Sequence, residues 1–256
     1  MNHKTILFVL LMSVSFTIFG QSTKMITHRG AWKNTDAPQN SIASLRAAAD
    51  QKAWGSEFDI HLTKDNILVV NHDRDFYGID IASSTYEQLL AKKHPNGENI
   101  PTAKEYLTEG KKHAELTLIY ELKTSPQGVE RTLESARKSM ELVKELGLFD
   151  QTEFIAFSYE ACLEFKKLDK DAKVHYLNGD KSPKEIKEAG LSGIDYNQQV
   201  FKDNPSWIRE AKENGLATNV WTVNEEKDMR YFIKEGVDYI TTDEPERLSQ
   251  ILKEGK

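Results

Sequence analysis

The sequence predicts a single α/β domain folded as a (β/α)8 TIM-type barrel, with a small insertion after the second strand. Three observations carry this expectation. Short β-branched runs alternate with amphipathic stretches through most of the 256 residues, the pattern of βα units on a parallel sheet. Eight such units fit into roughly 235 residues, close to the ~250 that such a barrel usually needs. The first strand is followed by His28-Arg29-Gly30-Ala31-Trp32, which is not a glycine-rich phosphate loop. The runner-up architecture, a doubly wound open sheet, requires one there. No composition shift or Gly/Ser-rich linker divides the chain, so residues 21–256 read as one domain.

Each element has a local cause. A β-branched, apolar run places the first strand at residues 24–28. Asn40 or Ser41 then caps a helix over 41–51, since a short polar side chain satisfies the free amides of a first turn. The second strand is expected at 55–61. A further run, 67–71, pairs back onto it through the turn Lys64-Asp65-Asn66. Helices over 85–92 and 102–111 precede the next full strand, 115–122. Strands at 153–157, 174–177, 193–196, 217–223 and 236–241 complete the set. They are separated by helices over 128–146, 160–168, 183–189, 205–214 and 225–235, with a last helix over 245–253. Pro183, Pro205 and Pro245 sit in first turns, and Gly147, Gly190 and Gly215 act as stops.

Ahead of this domain, Lys4 precedes a short apolar run at 6–12, and Gly20 offers a small residue for cleavage. Residues 1–20 therefore read as a secretory leader, with a buried N-terminal helix as the alternative. The run is shorter than the ~20 residues that cross a bilayer, so no stable membrane insertion is expected. No cysteine lies near the cleavage point to carry a lipid anchor. The mature chain, 21–256, is expected to be exported, periplasmic or secreted, and soluble.

Composition narrows the function. With 39% hydrophobic and 29% charged residues the chain is neither disordered nor fibrous. Its single cysteine, Cys162, excludes a disulfide framework and a thiolate metal cluster, and is expected to pack as a small apolar residue. The net charge is −6, and loss of Lys4 with the leader makes it more negative. Nucleic acid is therefore not an expected partner, because its binding draws on neutralised phosphates. An anionic substrate must be met by a few placed cations or a metal.

The charged residues that could do this fall at strand ends, where barrels carry their active groups. The first strand ends in His28-Arg29-Gly30. The second carries Glu57, Asp59 and His61, which alternate and so share one face. The next full strand ends in Glu121-Leu122-Lys123, and His72-Asp73 follows the local hairpin. Unpaired charges at the ends of apolar strands are costly. Converging carboxylates need a cation, and Glu57, Asp59 and Glu121 suit one divalent ion, Mg²⁺ or Ca²⁺. Arg29 and Lys123 can hold an oxyanion beside it, and two histidines can pass protons.

In order along the chain stand His28-Arg29-Gly30, Glu57-x-Asp59 with Leu62-Thr63-Lys64-Asp65, His72-Asp73, Glu121-x-Lys123, Trp221-Thr222-Val223-Asn224 and Thr242-Asp243-x-Pro245. This series resembles the glycerophosphodiester phosphodiesterase family over residues 28–245. The resemblance implies a TIM-type barrel, a divalent metal on Glu57, Asp59 and Glu121, acid–base histidines at His28 and His72, and phosphate contacts from Arg29 and Lys123. It also implies that residues after His72, as far as Lys111, form the family's small inserted segment. One departure stands out: the family commonly has Pro-Glu-Asn where this chain has Pro38-Gln39-Asn40. If that glutamate assists at the metal, Gln39 offers only a neutral oxygen, and it is not counted as a ligand.

Other readings of these residues stand beside the functional ones. Glu57 and Asp59 could be salt-bridge partners of Arg29 or Lys123. His28 could be a satisfied strand-end histidine and His72 a turn cap. His61 is given a supporting or packing role, while His3, His94, His113 and His175 are expected on the surface or on helices. Trp221 is assigned to an aromatic wall against the glycerol or alcohol portion, with barrel core as the alternative; Trp32 stays undecided. The charged run 202–213 reads as a solvated helix face.

The expected activity is hydrolysis of a small-molecule glycerophosphodiester to sn-glycerol 3-phosphate and an alcohol. His28 would deprotonate the nucleophile, either the glycerol 2-hydroxyl or water, and His72 would protonate the departing alcohol. The alternatives are a related barrel enzyme acting on lysophospholipid or phosphoinositol headgroups, and a non-catalytic phosphodiester-binding protein. The alcohol, the choice of ion and the oligomeric state are left open.

Overall fold

The computed structural model describes residues 23–254; the expected leader, residues 1–20, lies outside the described residues. The chain enters through β1 (Lys24–Thr27) and α1 (Ile42–Asp50), whose first turn is capped by the Ser41 side chain. Next comes β2 (Gly55–Leu62), onto which β3 (Leu68–Val70) folds back antiparallel, as the turn at 64–66 predicts. A two-stranded hairpin of β4 (Asp75–Phe76) and β5 (Ile79–Asp80) follows, with the short α2 (Tyr86–Leu89) and then α3 (Ala103–Gly110). The rest alternates: β6 (Thr117–Leu122), α4 (Val129–Glu145), β7 (Thr152–Ala156), α5 (Tyr159–Leu168), β8 (Val174–Tyr176), α6 (Pro183–Glu188) and β9 (Gly193–Asn197). It ends with α7 (Gln198–Asp203), α8 (Trp207–Glu213), β10 (Ala217–Trp221), α9 (Glu226–Glu235), β11 (Tyr239–Thr242) and α10 (Pro245–Glu254).

Eight strands, β1, β2 and β6 to β11, run parallel and close on themselves, with β1 pairing both β2 and β11. This is the predicted barrel. Its period-2 strands bury two different faces. Phe58, Ile60, Tyr120, Phe154 and Tyr196 pack outward beneath the helices. Ile26, Ile119, Ile155 and Leu177 pack inward, with Trp54 and Tyr239 stacked beside them at 4.2 Å between ring centroids. The inward face of β2 carries Glu57, Asp59 and His61 instead, so the polar site is built into the barrel's interior layer.

Several local expectations change. The insertion is shorter than expected: α3 belongs to the barrel wall, because Ala103, Tyr106 and Leu107 join the main core and Tyr106 packs on Phe58. The expected helix over 205–214 is α8, and an additional helix, α7, precedes it across the break at Asn204-Pro205. Pro205 thus precedes a cap instead of occupying a first turn. Ile208 and Ala211 are buried, so 202–213 is not a purely solvated face. His175 is no surface residue: it lies inside the barrel, with Nε2 3.0 Å from Glu153 Oε2. His94 is likewise buried, packed against Phe76. Cys162 is buried as expected.

Candidate active site

At the C-terminal end of β1 the chain reverses sharply. Arg29 adopts a left-handed backbone with φ 57°, and Gly30 follows at φ 79°. A Cβ on Gly30 would stand 2.4 Å from Ser44 Oγ, so only glycine fits between this turn and α1. The reversal aims the Arg29 amide at Glu57 Oε2, to which it donates at 2.7 Å. His28, just before it, donates from Nδ1 to Asp243 Oδ1 at 2.7 Å. A carboxylate only accepts, so Nδ1 carries the proton and Nε2 keeps a lone pair when the ring is neutral. Trp32 Nε1 and Asn224 Nδ2 also donate to Asp243, at 3.3 and 2.8 Å.

Strand register brings the carboxylates together. Asp59 on β2 lies opposite Glu121 on β6, and one oxygen each from Glu57, Asp59 and Glu121 lie within 4.8 Å of one another, all buried. Lys123 Nζ reaches Asp59 Oδ1 at 2.8 Å and Glu121 Oε1 at 2.5 Å. Arg29 Nε stands 3.8 Å from Asp59 Oδ2. Asn40, also left-handed at φ 59°, clamps Asp59 from behind: its amide donates to Oδ2 at 2.8 Å and its carbonyl accepts from the Asp59 amide at 3.1 Å.

The electrostatics of this cluster are unbalanced. Burial, and then the neighbouring charges of Asp59 and Glu121, push Glu57 well above the usual carboxylate range. Burial and Asp59 likewise raise Glu121 to about 7, against the opposing pull of Lys123. Burial would raise Asp59 too, but Lys123, His72 and Arg29 outweigh it and hold that carboxyl well below its ordinary value. Glu57 Oε1 is buried without a hydrogen-bond partner. Three hard oxygen donors, one of them unpaired, fit a hard divalent cation.

His72 sits on the insertion, reaching over the same opening. Its Nδ1 donates to Asp73 Oδ1 at 2.8 Å, and burial pulls its pKa below the ordinary imidazole value. His61 Nε2 donates to the His72 carbonyl at 3.1 Å, tying that segment to β2. This is the supporting role expected of His61.

A cavity of about 110 Å³ lies between these groups. His28, Arg29, Glu57, His72, Glu121 and Lys123 line one side; Ile155, Phe157, Leu177, Asp195, Trp221 and Thr241 line the other. Trp221 meets Phe157 edge-on at 5.7 Å and donates from Nε1 to the Asp195 carbonyl at 2.9 Å. Grooves of about 420 and 510 Å³ flank His72 on either side, the first walled by Trp32, Gln39 and Tyr77. Another groove of about 540 Å³, between α1 and α3, holds none of the candidate residues. Seven of the eight sequence-predicted residues therefore face one cavity, and Asp59 lies against it through Lys123.

Sequence reasoning missed Asn40 as the Asp59 clamp, Asp243 as the His28 partner, and Asp195, which burial pushes up to about 6. Asp195 alternates with Gly193 and Asn197 on an inward strand face, a signal of period 2 that could have placed it. Gln39 does not join the carboxylates: its Oε1 accepts from Arg29 Nη1 at 2.8 Å.

Residues 28–247 match the glycerophosphoryl diester phosphodiesterase family. The chain belongs to that family. It is similar to a glycerophosphodiester phosphodiesterase of Caldanaerobacter subterraneus, 29% identical, with 91% of this chain and 99% of the relative covered. A crystal structure of a glycerophosphodiester phosphodiesterase from Parabacteroides distasonis superposes with a TM-score of 0.90 at 45% identity, covering 92% of this chain and 98% of that one. An Oleispira antarctica phosphodiesterase, at 22% identity and a TM-score of 0.77, shares the fold over 91% of this chain and 97% of its own. This phosphodiesterase therefore hydrolyses glycerophosphodiesters, and its buried acidic cluster could bind a metal ion. Among the described residues no helix is long and apolar enough to cross a membrane.

Proposed function

We propose that this phosphodiesterase converts glycerophosphodiesters to sn-glycerol 3-phosphate and an alcohol, with His28 as base and His72 as acid. The observation that carries the reading is the cavity itself, where two carboxylate-oriented histidines flank two cations and three buried carboxylates. The Oleispira antarctica relative is described in complex with sn-glycerol-3-phosphate as product, which supports the same product here.

Glu57, Asp59 and Glu121 would hold one divalent cation, Ca²⁺ or Mg²⁺, which when bound supplies positive charge to the phosphoryl oxygens. Arg29 and Lys123 hold the remaining non-bridging oxygens, Arg29 being suited to a two-point contact. They oppose the charge that builds as phosphorus becomes five-coordinate. His28 takes a proton at Nε2 from the nucleophile, which is water in a direct route or the glycerol 2-hydroxyl in a cyclising one. The latter leaves a cyclic phosphate that a water then opens, giving up its proton as the 2-hydroxyl oxygen is reprotonated. Asp243 stabilises the imidazolium that results. His72 gives a proton to the departing alcohol oxygen. Phe157 and Trp221 cover the glycerol carbons and keep water from that wall.

The proposal includes export: residues 1–20 are removed and 21–256 form the mature, periplasmic or secreted domain. N-terminal sequencing of the protein from its native cells, finding residue 21 first, tests this part.

The activity is tested by ³¹P NMR of the purified protein with a panel of glycerophosphodiesters, with and without chelator. Appearance of sn-glycerol 3-phosphate, lost on chelation and restored by Ca²⁺ or Mg²⁺, is expected. Undiminished turnover in protein shown by metal analysis to be metal-free would overturn the metal-assisted scheme.

A further inference from the structure

One buried charge in the cavity has no part in the scheme above. Asp195 lies at the middle of β9, four strands round the barrel from β2 in either direction, and so opposite Glu57 and Asp59. It is 2% exposed, yet it lines the cavity. Its Oδ1 has no hydrogen-bond partner. Asn219 approaches the carboxyl and, with the nearby His175, favours its charged form, while its Nδ2 also donates to Thr241 Oγ1 at 2.8 Å. The Trp221 indole N–H takes the Asp195 backbone carbonyl, and Oδ1 stays unpaired. On this side the cavity wall is otherwise mostly apolar, formed by Ile155, Phe157, Leu177 and Trp221 with Thr222 and Thr241.

A buried carboxyl oxygen left unpaired is costly, so a site of this kind is completed by the ligand. The chemistry restricts what that ligand group can be. The phosphate is drawn to Arg29 and Lys123 on the far wall and repelled by a carboxylate. A hydrocarbon would leave the oxygen unpaired. A hydroxyl satisfies it and does so with the carboxyl in either protonation state, donating to it or accepting from it. The cavity of about 110 Å³ is the share of three to four waters at roughly 30 Å³ each, a space that suits a three-carbon polyol.

We infer that Asp195 is a specificity-determining residue that hydrogen-bonds a free hydroxyl of the glycerol moiety, and thereby selects glycerophosphodiesters over their acylated counterparts. The inference rests on the proposed reading of the site, in which Arg29 and Lys123 hold the phosphate.

The test compares two competitive inhibitors of the enzyme as purified: sn-glycerol 3-phosphate and n-propyl phosphate, which has the same carbon chain and no hydroxyls. Wild type should prefer the first by roughly 10–100-fold, the value of completing a buried polar group. Asp195→Ala should reduce that preference to a few-fold while leaving propyl phosphate inhibition unchanged, and Asp195→Asn should restore much of it. A wild-type enzyme with no preference overturns the inference without any variant. So does a preference that survives in Asp195→Ala, or one lost only because both inhibitors weaken equally. If Asp195→Ala does not fold, wild type with propane-1,2-diol 1-phosphate and propane-1,3-diol phosphate decides: affinity must drop for at least one missing hydroxyl. Failure of the phosphodiesterase reading is separately visible, as absence of ³¹P product from wild type.

Discussion

The His28 imidazole, at the end of the first strand, donates to Asp243, 215 residues further along, at 2.7 Å. Closure of β1 onto β11 makes this contact, for the His28 amide also donates to the Thr242 carbonyl at 3.0 Å. Asp243 selects the tautomer that leaves Nε2 as the accepting nitrogen. Asp243→Asn would favour the opposite one. This variant should lose roughly 10–100-fold in kcat with a smaller change in KM. Wild-type kcat would show that His28 needs no such partner.

The same pair carries a pH dependence of stability. Burial would raise Asp243, but its hydrogen bond and charge pairing with His28 hold its carboxyl down at about 2, against 3.8 ordinarily. A carboxyl depressed in the folded state adds stability that is complete above the unfolded value and is lost as pH falls through the folded one. Partial exposure screens the effect to on the order of 1 kcal/mol. Urea unfolding of wild type and Asp243→Asn should show a stability gap that narrows from pH 6 to pH 3. A gap that widens would contradict this.

Cation binding should release protons. Burial and its carboxylate neighbours raise Glu57 above the usual carboxylate range, and burial and Asp59 raise Glu121 to about 7, so Glu121 takes up a proton near neutral pH in the metal-free protein. Affinity for Ca²⁺ or Mg²⁺ should therefore fall as pH drops below about 7. Calorimetry in buffers of different ionisation enthalpy counts the protons. Glu121→Gln should weaken binding and keep the wild-type circular dichroism. Binding independent of pH would show that the cluster is already ionised.

A general acid matters most when the departing oxygen is strongly basic. His72→Ala should lose on the order of 10²–10⁴-fold on a natural glycerophosphodiester and much less on a nitrophenyl ester. His28→Ala should damage both reactions comparably, because nucleophile activation is needed whichever group leaves. Steady-state kcat/KM for both variants on both substrates measures this. Rescue of His28→Ala by the better leaving group would reverse the two roles.

The cyclising route makes a separate demand. A diester lacking the glycerol 2-hydroxyl should turn over very slowly, since its nucleophile is gone. Cleavage at the ordinary rate would mean that water attacks phosphorus directly.

What the sequence determined by itself follows from local periodicity. Alternating β-branched and amphipathic runs specified the eight units, and a period of two put Glu57, Asp59 and His61 on one strand face. Strand-end position then marked His28, Arg29, Glu121 and Lys123, because barrels carry their active groups there and an unpaired charge at the end of an apolar strand is costly unless it has a use. The partners of these residues were another matter. Asp59 meets Glu121 through the register of β2 on β6, Asn40 clamps Asp59 through a left-handed turn, and Gln39 turns to Arg29. Asp195 enters the cavity, and Glu153 pairs with His175 inside the barrel, only when the ring is closed. Register and closure are long-range properties, set by how all eight strands share one interior. No window of sequence contains them, so the pairing of some charges, and the openness of others to a ligand, arise from the closed ring of strands.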